Sequence, residues 1–90
     1  MTICKVIGNV WATKKDENLS GYKLMIVRKE SFCGSKEPSF VAADIVGAGI
    51  GEQVLVVSGS TARKSLGRDS IPIDAVIVGI IDSLEIDQGQ

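Results

Sequence analysis

Residues 44–63 read DIVGAGIGEQVLVVSGSTAR, and the reading of this stretch decides the fold. Glycines alternate at Gly47, Gly49 and Gly51, an apolar run follows, and then comes Gly59-Ser60-Thr61-Ala62-Arg63. A dinucleotide-binding loop needs a strand before the glycines and a helix after them, whose N-terminus faces the phosphate. Here Gly51 is followed by Glu52-Gln53-Val54-Leu55-Val56-Val57, a strand pattern. Glu52 also places a negative charge where a phosphate would sit, and the stretch has no Gly-Lys-Ser/Thr ending. The glycines, with Ala48 among them, therefore read as a sharp turn where segments pass too close for a Cβ. The second turn reads as the start of one short helix, with Ser60 or Thr61 as N-cap and Gly67 as C-terminal stop. Hydroxyls and Arg63 at a helix start can hold an anion. Ordinary capping, with Arg63 paired to an Asp, is the simpler reading.

On either side of this stretch the apolar pattern predicts strands. Residues 2–13 alternate, with Cys4, Val6, Gly8, Val10 and Ala12 on the face expected to meet the core. Ile7 and Trp11 then fall on the outer face, which favours an interface over a solvated surface. Residues 14–21 read as a polar loop. Residues 23–28 form a second strand, residues 29–39 a loop with Gly34 and Pro38, and residues 40–44 a short third strand. Residues 53–57 are the fourth strand, and residues 75 to about 86 the fifth. Both faces of the fifth are apolar over its first half, so both need a cover, and another copy of the chain is the expected source of the second. Residues 87–90 read as a frayed tail after a domain spanning residues 1–86. Five strands with one short helix between the fourth and fifth predict an all-β fold. The expected form is a small, partly open, OB-like Greek-key barrel, with a β-sandwich as the alternative.

Composition bounds the function. The chain has 90 residues, is 44% hydrophobic and only 4% aromatic, so the core is thin and aliphatic. A domain this short buries only roughly 60–65% of its unfolded surface, and self-association would add to that. A net charge of −1 argues against a nucleic-acid or membrane-surface binder, which usually carries a basic excess. An OB-type module binding single strands or a small ligand is the alternative function. For stacking it would have Trp11, Tyr22, Phe32 and Phe40 alone. No export signal or membrane-spanning run is read. Cys4 and Cys33 lie far apart and fit a reducing cytosol as structural residues. Histidine is absent, which removes the commonest general base and metal ligand, so neither catalytic nor cofactor or metal site is expected. Asp44, Asp74 and Asp82 sit at strand ends or within apolar strands. Alternation turns Asp82 inward beside Val78, Ile80 and Leu84, where it would need a partner such as Arg63.

The residues also resemble a family. Gly8-Asn9-Val10-Trp11-Ala12-Thr13-Lys14 carries part of the likeness, as does Leu19-x-Gly21-x-Lys23-Leu24. Asp44-x-x-Gly47-Ala48-Gly49-x-Gly51-Glu52 and Ser58-Gly59-Ser60-Thr61-Ala62-Arg63 carry more. Pro72-x-Asp74 and Val78-Gly79-Ile80-Ile81-Asp82 complete it. In this order they resemble the EutN/CcmL proteins of bacterial microcompartment shells. The resemblance implies a non-enzymatic OB-like barrel in the cytoplasm that assembles as a homo-pentamer. Such pentamers cap the fivefold vertices of a shell tiled by hexameric shell proteins. It further implies a subunit interface using Ile7 and Trp11, Ile77 and Ile81 of strand five, and the glycine turn, with Arg63 as an anchor.

Overall fold

The computed structural model describes residues 1–13, 15–31, 37–67 and 71–87. Cys33, Phe32, most of the loop around Gly34 and the last three residues of the expected tail lie outside them. The chain forms β1 (Thr2–Val10), β2 (Lys23–Lys29), β3 (Ser39–Asp44), β4 (Gln53–Ser58), α1 (Gly59–Ser65) and β5 (Ala75–Ile80). A single 3-10 turn, Glu17–Leu19, lies between β1 and β2.

The strands close into a barrel in the order β1-β2-β3-β5-β4, with β4 returning to β1. The expected five-stranded barrel with one helix between strands four and five is present, and its sheet is closed rather than partly open. Every pairing is antiparallel except β3 with β5. Parallel neighbours require a long crossover. β4, α1 and the segment up to β5 provide it.

The interior is filled by small aliphatic side chains. Cys4, Val6, Met25, Val27, Ala42, Val54, Val56, Ala75 and Ile77 form one buried cluster with Ala48. Each fully buried Val or Ile contributes about 1.5–3 kcal/mol. No ring is needed to fill a barrel this narrow.

Two β-bulges reset the alternation. On β1 the pairing with β2 passes from Val6↔Val27 to Gly8↔Ile26 and skips Ile7. On β5 the pairing with β4 passes from Leu55↔Gly79 to Val56↔Ile77 and skips Val78. One extra residue exchanges inner and outer positions beyond it. Cys4 and Val6 therefore face the core as expected, whereas Gly8 and Val10 pair with the outward Ile26 and Leu24. Ile77, expected on an outer face, is fully buried inside the barrel. Asp82, expected inward, is exposed. The fifth strand also ends at Ile80, well short of residue 86.

The outer face of β5 is covered by the same chain, not by another copy as expected. Val76 packs in a second cluster with Ala43, Val57, Ala62 of α1, Ile71 and Ile73, flanked by Leu19, Tyr22, Leu24, Leu66 and Val78. Ala62 is wholly buried because α1 lies close to the barrel. The helix starts from Ser58, whose φ of −132° and ψ of 166° are extended and whose side chain makes no capping bond. Ser60 and Thr61, the expected caps, lie within the helix and are exposed. Gly67 ends it as expected, with φ +70° and its N–H donating to the Lys64 carbonyl at 3.0 Å.

Candidate subunit interface

The loop of residues 44–52 is built around two carboxylates. The Asp44 side chain accepts from the Val46 N–H (3.0 Å) and Gly47 N–H (3.1 Å) through Oδ1, and from the Ala48 N–H (2.8 Å) through Oδ2. At the other end Glu52 Oε1 accepts from the Gly49 N–H at 2.6 Å. The loop does cradle an anion, but the anion is its own Asp44. Amides that would hold a phosphate are already paired, and hydrogen bonds to an ionised acceptor are the strong ones.

The glycines have a different cause from the one expected. Within the chain, a Cβ at Gly47 or Gly51 would meet nothing within 4 Å. Their φ angles are +81° and +93°, a region that only glycine enters freely. Gly51 occupies the third position of a turn closed by Glu52 N–H to the Gly49 carbonyl at 3.2 Å, where positive φ is required. Gly49 alone is crowded, with Glu52 Oε1 3.3 Å from an added Cβ. The turn is then stitched to β1. Gly51 N–H donates to the Val6 carbonyl (2.8 Å), and Val6 N–H donates to the Glu52 carbonyl (3.0 Å).

This framework seats Ala48 in the core and leaves Ile45, Val46 and Ile50 exposed, at 47%, 38% and 62%. A loop held by seven hydrogen bonds that presents three aliphatics outward is a rigid contact surface. The sequence reading singled out the glycines and missed these three. Apolar residues inside a tight glycine turn were the signal.

The remaining candidate residues are scattered. Ile7 sits at the β1 bulge, 38% exposed, and Trp11 just beyond β1 is 90% exposed. Trp11 lines a cleft of about 140 Å³ with Asn9, Lys15, Tyr22, Lys23 and Leu24. Ile81 is half-buried, tied by its N–H to the Gln53 carbonyl at 2.9 Å. Asp74 is exposed and uses its backbone carbonyl, which accepts from the Gly59 N–H at 2.8 Å. Arg63 is half-buried on α1, and exposed Asp82 has no burial to compensate, so the expected need for a buried Arg63–Asp82 pair disappears.

Among the described residues, no group of three or more Cys, Asp or Glu side chains could hold a metal ion. No helix among them is long and apolar enough to cross a membrane. Burial pushes the Cys4 thiol above its ordinary range, with Lys29 acting to lower it and Glu30 to raise it. The class defined by these features is a small closed barrel whose loop carboxylates bind its own backbone and whose outer surface carries rigid apolar patches.

Comparison with known proteins gives that class a family. The family model described as "Ethanolamine utilisation protein EutN/carboxysome" matches residues 1–82, and the chain belongs to this EutN/CcmL family. It is 44% identical over 90 residues to the carboxysome shell vertex protein CcmL of Synechocystis sp., covering 99% of this chain and 90% of that one. It is 48% identical over 89 residues to the bacterial microcompartment shell vertex protein GrpN of Rhodospirillum rubrum, covering 94% of this chain and 97% of that one. The solved structure of Gloeobacter violaceus CcmL superposes with a TM-score of 0.86 at 40% identity, over 97% of this chain and 91% of that one. The structure described as the GrpN pentameric microcompartment shell protein from Rhodospirillum rubrum gives 0.82 at 44% identity, over 96% of this chain and all of the other.

Proposed function

We propose that this chain is a structural vertex protein of a bacterial microcompartment shell, acting as a homo-pentamer. The observation that carries the reading is near-full-length similarity, at 44–48% identity, to proteins named as shell vertex proteins. The physical features support it. A thin aliphatic core makes self-association favourable. Ile45, Val46, Ile50, Ile7 and Trp11 give the barrel exposed apolar surface. Contacts between unlike surfaces of identical subunits are heterologous, and heterologous contacts that close make rings. A sheet of hexameric tiles cannot close without fivefold positions, and a pentamer of this barrel would occupy them.

In this role the protein is not an enzyme and binds neither nucleic acid nor membrane. Its partners are copies of itself and hexameric shell proteins. The interface we assign uses Ile7, Trp11, Ile81 and the loop from Asp44 to Glu52, with half-buried Arg63 at its margin. Ile77 is excluded because it is inside the barrel. Co-expression with hexameric shell proteins, followed by electron microscopy, tests the function. Closed polyhedral shells that open or elongate without this protein are the expected result. Equally closed shells in its absence would refute it.

A further inference from the structure

We infer that residues 81–87 form an arm that docks on the basic outer face of β1 and β2 of a second copy of this chain. The inference rests on the ring reading above. Beyond the Ile81 bond to Gln53, residues 82–87 belong to no strand, and every one of them is exposed. Their sequence, Asp82-Ser83-Leu84-Glu85-Ile86-Asp87, places three acidic residues around two aliphatics. Leu84 is 38% and Ile86 57% exposed, so both keep apolar surface open to a partner.

The complementary surface is on the barrel wall. Lys5 stands directly opposite Arg28 across the β1–β2 ladder, and both are exposed. Like charges directly opposite destabilise a sheet unless something neutralises them. Beside this pair lie exposed Ile7 and Val41 and half-buried Ile26, the last two directly paired. Glu30, bonded through its N–H to the Ile3 carbonyl at 2.9 Å, adds one negative charge at the margin. The wall is thus cationic beside an apolar stripe, and the arm is anionic around apolar residues. Charges of opposite sign fix register and suppress wrong pairings. Docking would bury Leu84 and Ile86 against Ile26 and Val41 and set Asp82 and Glu85 near Lys5 and Arg28.

Charge reversal in the full-length chain tests this. The variant Asp82→Lys/Glu85→Lys alters exposed residues outside every strand, so folding by circular dichroism should be unchanged. Its assembly should dissociate at a protein concentration at least about tenfold higher than the wild type's. Lys5→Glu/Arg28→Glu should do the same, and combining all four changes should restore assembly. A second measurement separates a neighbour from the same chain. With Glu85→Cys and Arg28→Cys together in a Cys33→Ser chain, oxidation should give a ladder of covalent dimers and higher species on a denaturing gel, with no species above a dimer from either single variant. A cross-linked monomer alone would overturn the proposal in favour of intramolecular docking. Unchanged dissociation of the reversed variants from a wild-type ring would overturn the arm while leaving the ring intact. A wild-type monomer would remove the ring reading itself.

Discussion

The loop from Asp44 to Glu52 and the turn from Ser58 to Gly67 look alike in sequence, yet they are held by opposite means. Both are rich in glycine and polar residues that can bond to backbone. In the first, side chains do the holding, since two carboxylates take four backbone amides. In the second, the N-cap Ser58 makes no side-chain bond, and the helix is fixed from beneath by buried Ala62 and the second apolar cluster. The lesson is that a short polar motif names a turn without naming what stabilises it. Where the flanking residue is an Asp at the end of a buried strand, charge organises the loop. Where a small residue faces the barrel, packing does.

Substitutions can break or sharpen this contrast. The largest effect is expected from Asp44→Ala, which strips three amides of a charged acceptor. Unfolding by urea should show a loss of about 3 kcal/mol, with Asp44→Asn costing less because one oxygen still accepts. Next is Ala62→Leu, which forces three carbons between α1 and the barrel. A loss of about 2 kcal/mol in the same measurement would fit overpacking of a closed site. Gly51→Ala follows, at about 1 kcal/mol, since φ +93° suits a side chain poorly although the space around it is open. The smallest is Ser58→Ala, which should change stability by less than about 0.5 kcal/mol because there is no capping bond to lose. A Ser58 effect as large as that of Asp44 would erase the distinction between the two turns.

Much of the barrel was legible in the sequence, and the misreadings arise where distant segments or irregular backbone decide the outcome. The number and starting points of the strands, the place of the helix and the Gly67 stop followed from apolar runs and turn residues, which act locally, whereas the first and fifth strands end earlier than expected. Asp82 is exposed because β5 ends at Ile80, and Ile77 points inward because a bulge at Val78 inserts one residue that alternation cannot register. Gly8 and Val10 were misplaced by the bulge at Ile7 for the same reason. The cover over Val76 was sought in another subunit because Ile71 and Ile73 looked like part of a connection. They are buried on α1's side of the barrel. The reason that Gly47 and Gly51 are glycine is backbone conformation, not the expected crowding. Asp44's hold on three successive amides was hidden because it depends on how the loop folds back over it.

The central claim is that this barrel works as a closed ring of five. Native mass spectrometry of the untagged protein measures that directly. A single dominant species of five times the 9.5 kDa chain mass is the predicted result. A monomer at micromolar concentration, or a closed ring of another number, would contradict it.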